Sequence, residues 1–371
     1  MTTAWTLKDL RQIAFDRIDR VPAIASASSG NLDSGRVYWD MWPVQDESGH
    51  IASIKGRELW MALTAPDRGN PNLRHFEAKI RLLERLDGTW VDRGNVLPDF
   101  DVDYEREWAG SAVAKGDDIT LYFTAAGTHE RSGGYQQRLF EAHGRIGDDG
   151  LPCDWQPPVP SITAITADYM AADAHEGEAG KIKAFRDPAF FRDPADGSEY
   201  LIFTASLANS ASDFNGAVGI ARKGEAGWEL LPPLVHADGV NNELERAHVV
   251  FHDGRYYVFW VTQGITFAPG TPDAPNGLYG MVSDRLLGDY RPLNGSGLVL
   301  ANPEDEPIQS YSWFVSAELV ASSFVDFFGL NGRALPSDPV KANAFFGGVP
   351  APLLQLAIDE DGRTTLKGKL P

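Results

Sequence analysis

The sequence predicts an all-β fold, and three observations carry that expectation. Short runs rich in aromatic and β-branched residues recur, at Glu58–Thr64, Ile119–Thr124, Tyr200–Thr204, Tyr256–Thr262, Leu278–Val282 and Leu353–Ile358. Such runs suit a pleated, half-buried surface. Several follow a tight-turn signal, Gly116-Asp117-Asp118, Asp196-Gly197 or Asp253-Gly254, as in antiparallel hairpins. Beyond the N-terminus little of the chain carries a helical pattern.

Taken in order, residues 1–30 read as a lead-in with one short helix. Thr6 is its N-cap, Asp9 stands three residues on, and Trp5 and Leu10 can close as a hydrophobic staple. The strand-like runs follow at irregular intervals, so no sharp repeat is visible. Propeller blades with long loops and a large sandwich both fit this pattern. Residues 128–182, rich in Gly, Asp, Glu and Ala, read as long surface loops, as do residues 329–351 before the last strand. No linker divides the chain, so residues 1–371 are expected to form one domain.

The 371 residues carry 52 acidic and 33 basic side chains, a net charge of −19. Such a chain repels phosphate backbones and anionic bilayers, which argues against nucleic-acid and membrane partners. The lone cysteine, Cys153, cannot close an intrachain disulfide. The first twenty residues are charged throughout and unlike a signal peptide, and no stretch approaches the ~20 apolar residues of a membrane span. The cytoplasm is the default expectation, with leaderless export left open. No phosphate-binding loop, dinucleotide turn or nucleophile elbow occurs. His248 and His252 stand four apart in a strand-like run without a third ligand, and read as packing or surface residues.

Three acidic residues stand in unusual company: Asp40 in Trp39-Asp40-Met41-Trp42-Pro43, Asp187 in Phe185-Arg186-Asp187-Pro188, and Glu245 in Glu243-Leu244-Glu245-Arg246. A charge among apolar and aromatic neighbours is costly unless paired. Each alone reads first as a turn cap or an arginine partner. Together they fit glycoside cleavage, which needs one ionised and one protonated carboxyl beside the scissile bond, with indole faces for sugar rings. A second Arg-Asp-Pro, Arg192-Asp193-Pro194, reads as part of a turn.

On these motifs the chain resembles glycoside hydrolase family 68, the levansucrases, inulosucrases and bacterial β-fructofuranosidases. Glu107-Trp108-Ala109-Gly110-Ser111, Gly277-Leu278-Tyr279-Gly280-Met281-Val282-Ser283-Asp284 and Ser310-Tyr311-Ser312 match further segments in the family's order. The resemblance spans Tyr38 to the last strand and implies a five-bladed β-propeller with its site in a central funnel. It implies a retaining mechanism on sucrose. Asp40 would be the nucleophile, Glu245 the acid/base and Asp187 the transition-state stabiliser. Trp39, Trp108, Ser111, Arg186, Glu243, Arg246, Gln263 and Tyr311 would bind substrate. Glu243, two residues from Glu245, is an alternative acid/base.

Two departures bear on the acceptor. Gln263 and Trp313 stand where the resemblance leads one to expect a histidine or arginine, and a histidine, respectively. Losing such donors weakens the hold on a sugar acceptor. This favours sucrose hydrolysis with short-chain transfer, the alternatives being levan or inulin synthesis and a non-catalytic sugar-binding propeller. Asn242 replaces an aspartate that ligates calcium in some members, so no metal or other cofactor is expected. Sucrose and sugar acceptors are the expected partners.

Overall fold

The computed structural model describes residues 2–27, 32–171 and 183–370. The all-β expectation holds: strands dominate, and the helical segments among the described residues are three to six residues long. Paired strands fall into successive antiparallel meanders. The first runs through Arg36–Gln45, Arg57–Pro66, Lys79–Leu86 and Thr89–Asn95. The second comprises Arg106–Lys115, Asp118–Ala126 and Gln137–Ile146, with short pieces at its edge. The third is Phe185–Arg192, Glu199–Ser206, Gly216–Gly224 and Gly227–His236. The fourth is Glu245–His252, Arg255–Thr262, Gly277–Ser283 and Leu298–Ala301. The fifth is built on Ser310–Val315, Val320–Phe327, Leu354–Ile358 and Thr364–Lys369, with Phe346–Pro350 also paired to Val320–Phe327.

The first strand of each meander is its inner strand. Successive inner strands are neighbours, and that of the first meander also packs against the fifth, which closes a ring. A short parallel pairing of Val44 with Ala112 and Gln45 with Val113 joins the first two meanders. Apolar side chains between adjacent meanders form the cores. Among the described residues no helix is long and apolar enough to cross a membrane.

The runs legible in the sequence are mostly second strands, such as Asp118–Ala126, Glu199–Ser206 and Arg255–Thr262, which are buried on both faces. The loop reading of 128–182 is corrected: Gln137–Ile146 is a full strand paired with Asp118–Ala126, and residues 172–182 lie outside the described residues. Within 329–351, Phe346–Pro350 is likewise a strand. Both strands carry polar or glycine residues in place of a β-branched run. The lead-in holds its helical turn, Leu7–Leu10, with the reciprocal Thr6–Asp9 capping box. Trp5 is buried against Trp260 and Tyr279, and its indole N–H donates to the Ser296 carbonyl at 2.9 Å. The lead-in thus docks on the fourth meander.

Candidate active site

Every inner strand breaks register with its neighbour at an equivalent place: between Trp39 and Trp42, Trp108 and Gly110, Arg186 and Ala189, Glu245 and His248, and Tyr311 and Phe314. A bulge bends a strand and re-aims its side chains. In four of these bulges the residue is not glycine yet has positive φ: Asp40 (45°), Asp187 (58°), Arg246 (54°) and Ser312 (57°). Left-handed backbone costs a residue with a Cβ on the order of 1 kcal/mol or more. The strain recurs where the chemistry gathers. Pro188, which has no N–H, fits a bulge where ladder bonds are lost. Gly110 is required in the second meander, because a Cβ there would lie 1.8 Å from the Tyr122 carbonyl oxygen.

The bulges place two consecutive residues of each inner strand on one cavity of about 470 Å³: Trp39 and Asp40, Trp108 and Ala109, Arg186 and Asp187, Glu245 and Arg246, Tyr311 and Ser312. Glu243 and Gln263 also line it. Ten of the eleven candidate site residues therefore converge, although Trp39 and Tyr311 stand 272 residues apart in the chain.

Ser111 does not join them. It is fully buried on the other side of the bulge, where its hydroxyl accepts the Phe190 N–H at 2.9 Å and ties the second meander to the third. The acceptor-side reading of Trp313 is also corrected. The bulge turns Tyr311 and Ser312 toward the cavity and sends Trp313 into the core between the fourth and fifth meanders. Asp193 accepts from the Tyr256 hydroxyl at 2.6 Å and the Ala195 N–H at 2.9 Å, in keeping with a turn role. His248 packs face to face with Phe314, contacts the Arg246 carbonyl through Nδ1 at 2.7 Å and accepts the Val315 N–H at Nε2. The acceptor role of Nε2 makes Nδ1 the protonated nitrogen, and burial lowers the ring's pKa to about 3, so it stays neutral.

Arg186 organises the acidic cluster. Its Nη2 donates to Glu243 Oε1 at 2.9 Å and Glu245 Oε1 at 2.8 Å, and its Nε lies 3.4 Å from Asp187 Oδ2. Burial works against the guanidinium's charge, but Glu243, Glu245 and Asp187 more than offset it. The Tyr311 hydroxyl donates to the other oxygen of Glu245. Asp187 accepts from the Thr204 hydroxyl at 3.0 Å. Its own N–H donates to the Thr124 hydroxyl at 2.8 Å, and that hydroxyl donates to the Ala109 carbonyl at 3.1 Å. Arg246 reaches the Asp40 and Met41 carbonyls at 3.3 and 3.2 Å and lies over the Trp42 ring, 5.2 Å from its centroid.

Burial pushes Asp40 up to about 6; Arg246 opposes this, while Asp187 and Glu245 reinforce it. Asp187 is raised by burial against the pull of Arg186 and Arg246. Glu243 is pushed up to about 7, first by burial and then by the Glu245 charge. Four carboxyls facing two guanidinium groups would carry a formal charge of −2 if all were ionised. The site therefore favours holding a proton, the condition for acid catalysis at neutral pH. The side chain of Glu245 is 19% exposed and that of Glu243 6%, so Glu245 is the more open to a substrate in the cavity.

Sequence reasoning missed several contributors. Gln137 Oε1 accepts from the Phe185 N–H and from Arg186 Nη1, and so orients Arg186. The His75 carbonyl accepts the Trp108 indole N–H at 3.1 Å, and its ring meets Trp39 edge-on. Burial, with Arg74, Arg106 and Arg186 nearby, holds His75 well below its usual range and therefore neutral. Both residues lie in segments without a motif, and only the packing of the meanders brings them to the cavity.

Glu107 of the second motif is turned away from the cavity. It accepts from the Ile80 N–H at 2.8 Å and Lys79 Nζ at 3.1 Å, which fixes the inner strand carrying Trp108 to the first meander. Among the described residues no group of three or more His, Cys, Asp or Glu side chains is arranged to hold a metal ion.

The chain is similar to known proteins along nearly its whole length. Levansucrase Lscbeta of Pseudomonas syringae pv. actinidiae is 28% identical over 97% of this chain and 89% of its own length. Levansucrase LscA of Pseudomonas savastanoi pv. glycinea is 30% identical over 97% of this chain and 93% of its own. The solved inulosucrase of Halalkalicoccus jeotgali bound to kestose superposes with a TM-score of 0.89 at 36% identity, covering 100% of this chain and 96% of that one. The Levansucrase/Invertase family model matches residues 1–215 and 208–367, and the chain is accordingly an enzyme of that family, glycoside hydrolase family 68.

Proposed function

We propose that this protein is a retaining fructosyltransferase that uses sucrose as donor and passes the fructosyl unit to sugar acceptors, with water as a competing acceptor. The observation that carries the reading is the convergence of Asp40, Asp187 and Glu245, from three different inner strands, on one cavity walled by Trp39 and Trp108. In the first step an Asp40 oxygen attacks the anomeric carbon of the fructosyl unit. The bond from that carbon to the glucosyl oxygen breaks, and Glu245 delivers a proton to the departing oxygen. In the second step Glu245 takes the proton of an acceptor hydroxyl as that oxygen displaces Asp40. Two displacements at one carbon retain configuration. Asp187, held by Thr204 and Arg186, presents negative charge to the oxocarbenium-like transition state.

The names of the relatives favour transfer over the hydrolysis suggested by Gln263, and Trp313, packed in the core, does not line the cavity. Gln263 does line the cavity near Tyr311 and Glu245, so hydrolysis remains the second reading, carried by its uncharged amide. Incubation with concentrated sucrose, with free glucose and fructose assayed separately and products sized, tests both. Glucose in excess of fructose, with oligomeric or polymeric fructosides, is the expected result. Equal amounts would favour hydrolysis, and no glucose at all would refute the function.

A further inference from the structure

Arg74 lies outside the cavity. It belongs to the short helical turn Pro71–Phe76, which also brings His75 to the site. Its guanidinium lies over the Trp39 ring, 5.7 Å from the centroid, and over the Phe346 ring of the fifth meander at 5.0 Å. One nitrogen donates to the Pro71 carbonyl at 2.7 Å, while Nε is buried with no hydrogen-bond partner among the described residues. On the second strand of the fifth meander, Asp326 has a buried Oδ1 that likewise lacks a partner among the described residues. Arg74 is the first charge that Asp326 feels and Asp40 the second; Arg74 in turn feels Asp326 and then Asp40. A part-buried cation over an indole, with a part-buried carboxylate as its strongest charged neighbour and an unpartnered buried atom on each, is a costly arrangement for packing alone.

We propose that Arg74 and Asp326 form a positioning pair of the active site, in which Arg74 clamps the Trp39 wall against the fifth meander and, with Asp326, contributes to the electrostatic field at Asp40. The inference rests on the reading of Asp40 as nucleophile. Other groups act on the same carboxylate: Arg246 and Glu245 from the fourth meander, Asp187 from the third and the Ser312 hydroxyl from the fifth. Arg106 of the second meander reaches this region through His75. Arg74 differs from them in touching the back of the substrate wall without lining the cavity. Burial pushes Asp326 up to about 7, so its charge changes near neutral pH while Arg74 stays in place.

The test measures kcat and KM for sucrose from about pH 4 to pH 8 in Arg74→Met, Arg74→Lys and Asp326→Asn, with Asp40→Asn as reference. Arg74→Met removes a cation that acts on Asp40 from behind the Trp39 wall. It should move the acid limb of kcat/KM upward by about half a pH unit and raise KM several-fold. Arg74→Lys keeps the charge but not the planar stack, so KM should rise while the limb stays in place. Asp326→Asn is nearly isosteric and resembles the protonated acid. It should leave the acid limb in place and remove the change in KM that the titration of Asp326 is expected to give the wild type near pH 7. An acid limb and KM unchanged in Arg74→Met would overturn the proposal. So would equal pH shifts in the Met and Lys variants, or a persistent KM inflection in Asp326→Asn, which would belong to Glu243. If Arg74→Met does not fold, the lysine and asparagine variants decide. Turnover retained by Asp40→Asn would instead remove the nucleophile on which the pair acts.

Discussion

Replacing Asp40 with asparagine should abolish turnover and, at the same time, stabilise the fold. Burial raises the Asp40 pKa from its ordinary 3.8 to about 6 despite Arg246. The folded protein therefore holds a proton that the unfolded chain has released, and stability falls as pH rises through that window. Below about pH 3 the carboxyl is protonated in both states and costs nothing, and at about pH 4 only a small part of the cost is present. Above about pH 6 the full cost is present, roughly two pH units or about 3 kcal/mol. An amide of nearly the same shape avoids that cost, and asparagine tolerates the left-handed backbone at residue 40 at least as well as aspartate. An unfolding entropy of about 2.1 cal/mol/K per residue over this chain length turns 3 kcal/mol into a Tm increase of about 4 °C. Calorimetry of wild type and Asp40→Asn at about pH 4 and pH 7.5 would measure it. The two should melt together at the lower pH and separate at the higher. A variant no more stable at pH 7.5, or one stabilised equally at both values, would refute the argument that Asp40 is ionised against its surroundings. Residual turnover above about one part in a thousand would refute its role as nucleophile.

Other substitutions separate the remaining roles. Glu245→Gln keeps the Arg186 contact but cannot move a proton, so kcat on sucrose should fall ~10²–10⁴-fold, with a smaller loss for a fructoside whose leaving group needs no protonation; equal losses on both substrates would move the role to Glu243. Ser111→Ala should leave KM unchanged and lower stability by about 1–2 kcal/mol, because the Phe190 N–H loses its acceptor; a raised KM measured in sucrose kinetics would return Ser111 to the binding site. Gln263→His should raise the ratio of transfer to hydrolysis, read as excess glucose over fructose, and an unchanged ratio would show that residue 263 does not govern the acceptor.

The sequence by itself determined the family and the strand content. Asp40, Asp187 and Glu245 stand out in the sequence as carboxylates amid Trp39, Trp42, Phe185 and arginines, and the roles proposed for them come from the resemblance of their motifs to the family. The buried second strands were legible because both of their faces are apolar. The inner strands were harder to read. Their bulges break the period-two pattern, so composition could not show that Trp39 and Asp40 share a destination with Arg186 and Asp187. The same bulges explain the misplacement of Ser111 and Trp313. A motif identifies a segment, but a shift of one residue in the ladder decides which of its side chains face the cavity. Tertiary structure alone brought in His75, Gln137 and the Arg74–Asp326 pair. Their positions depend on how separate meanders pack around the ring, a relation between distant segments that no local pattern records.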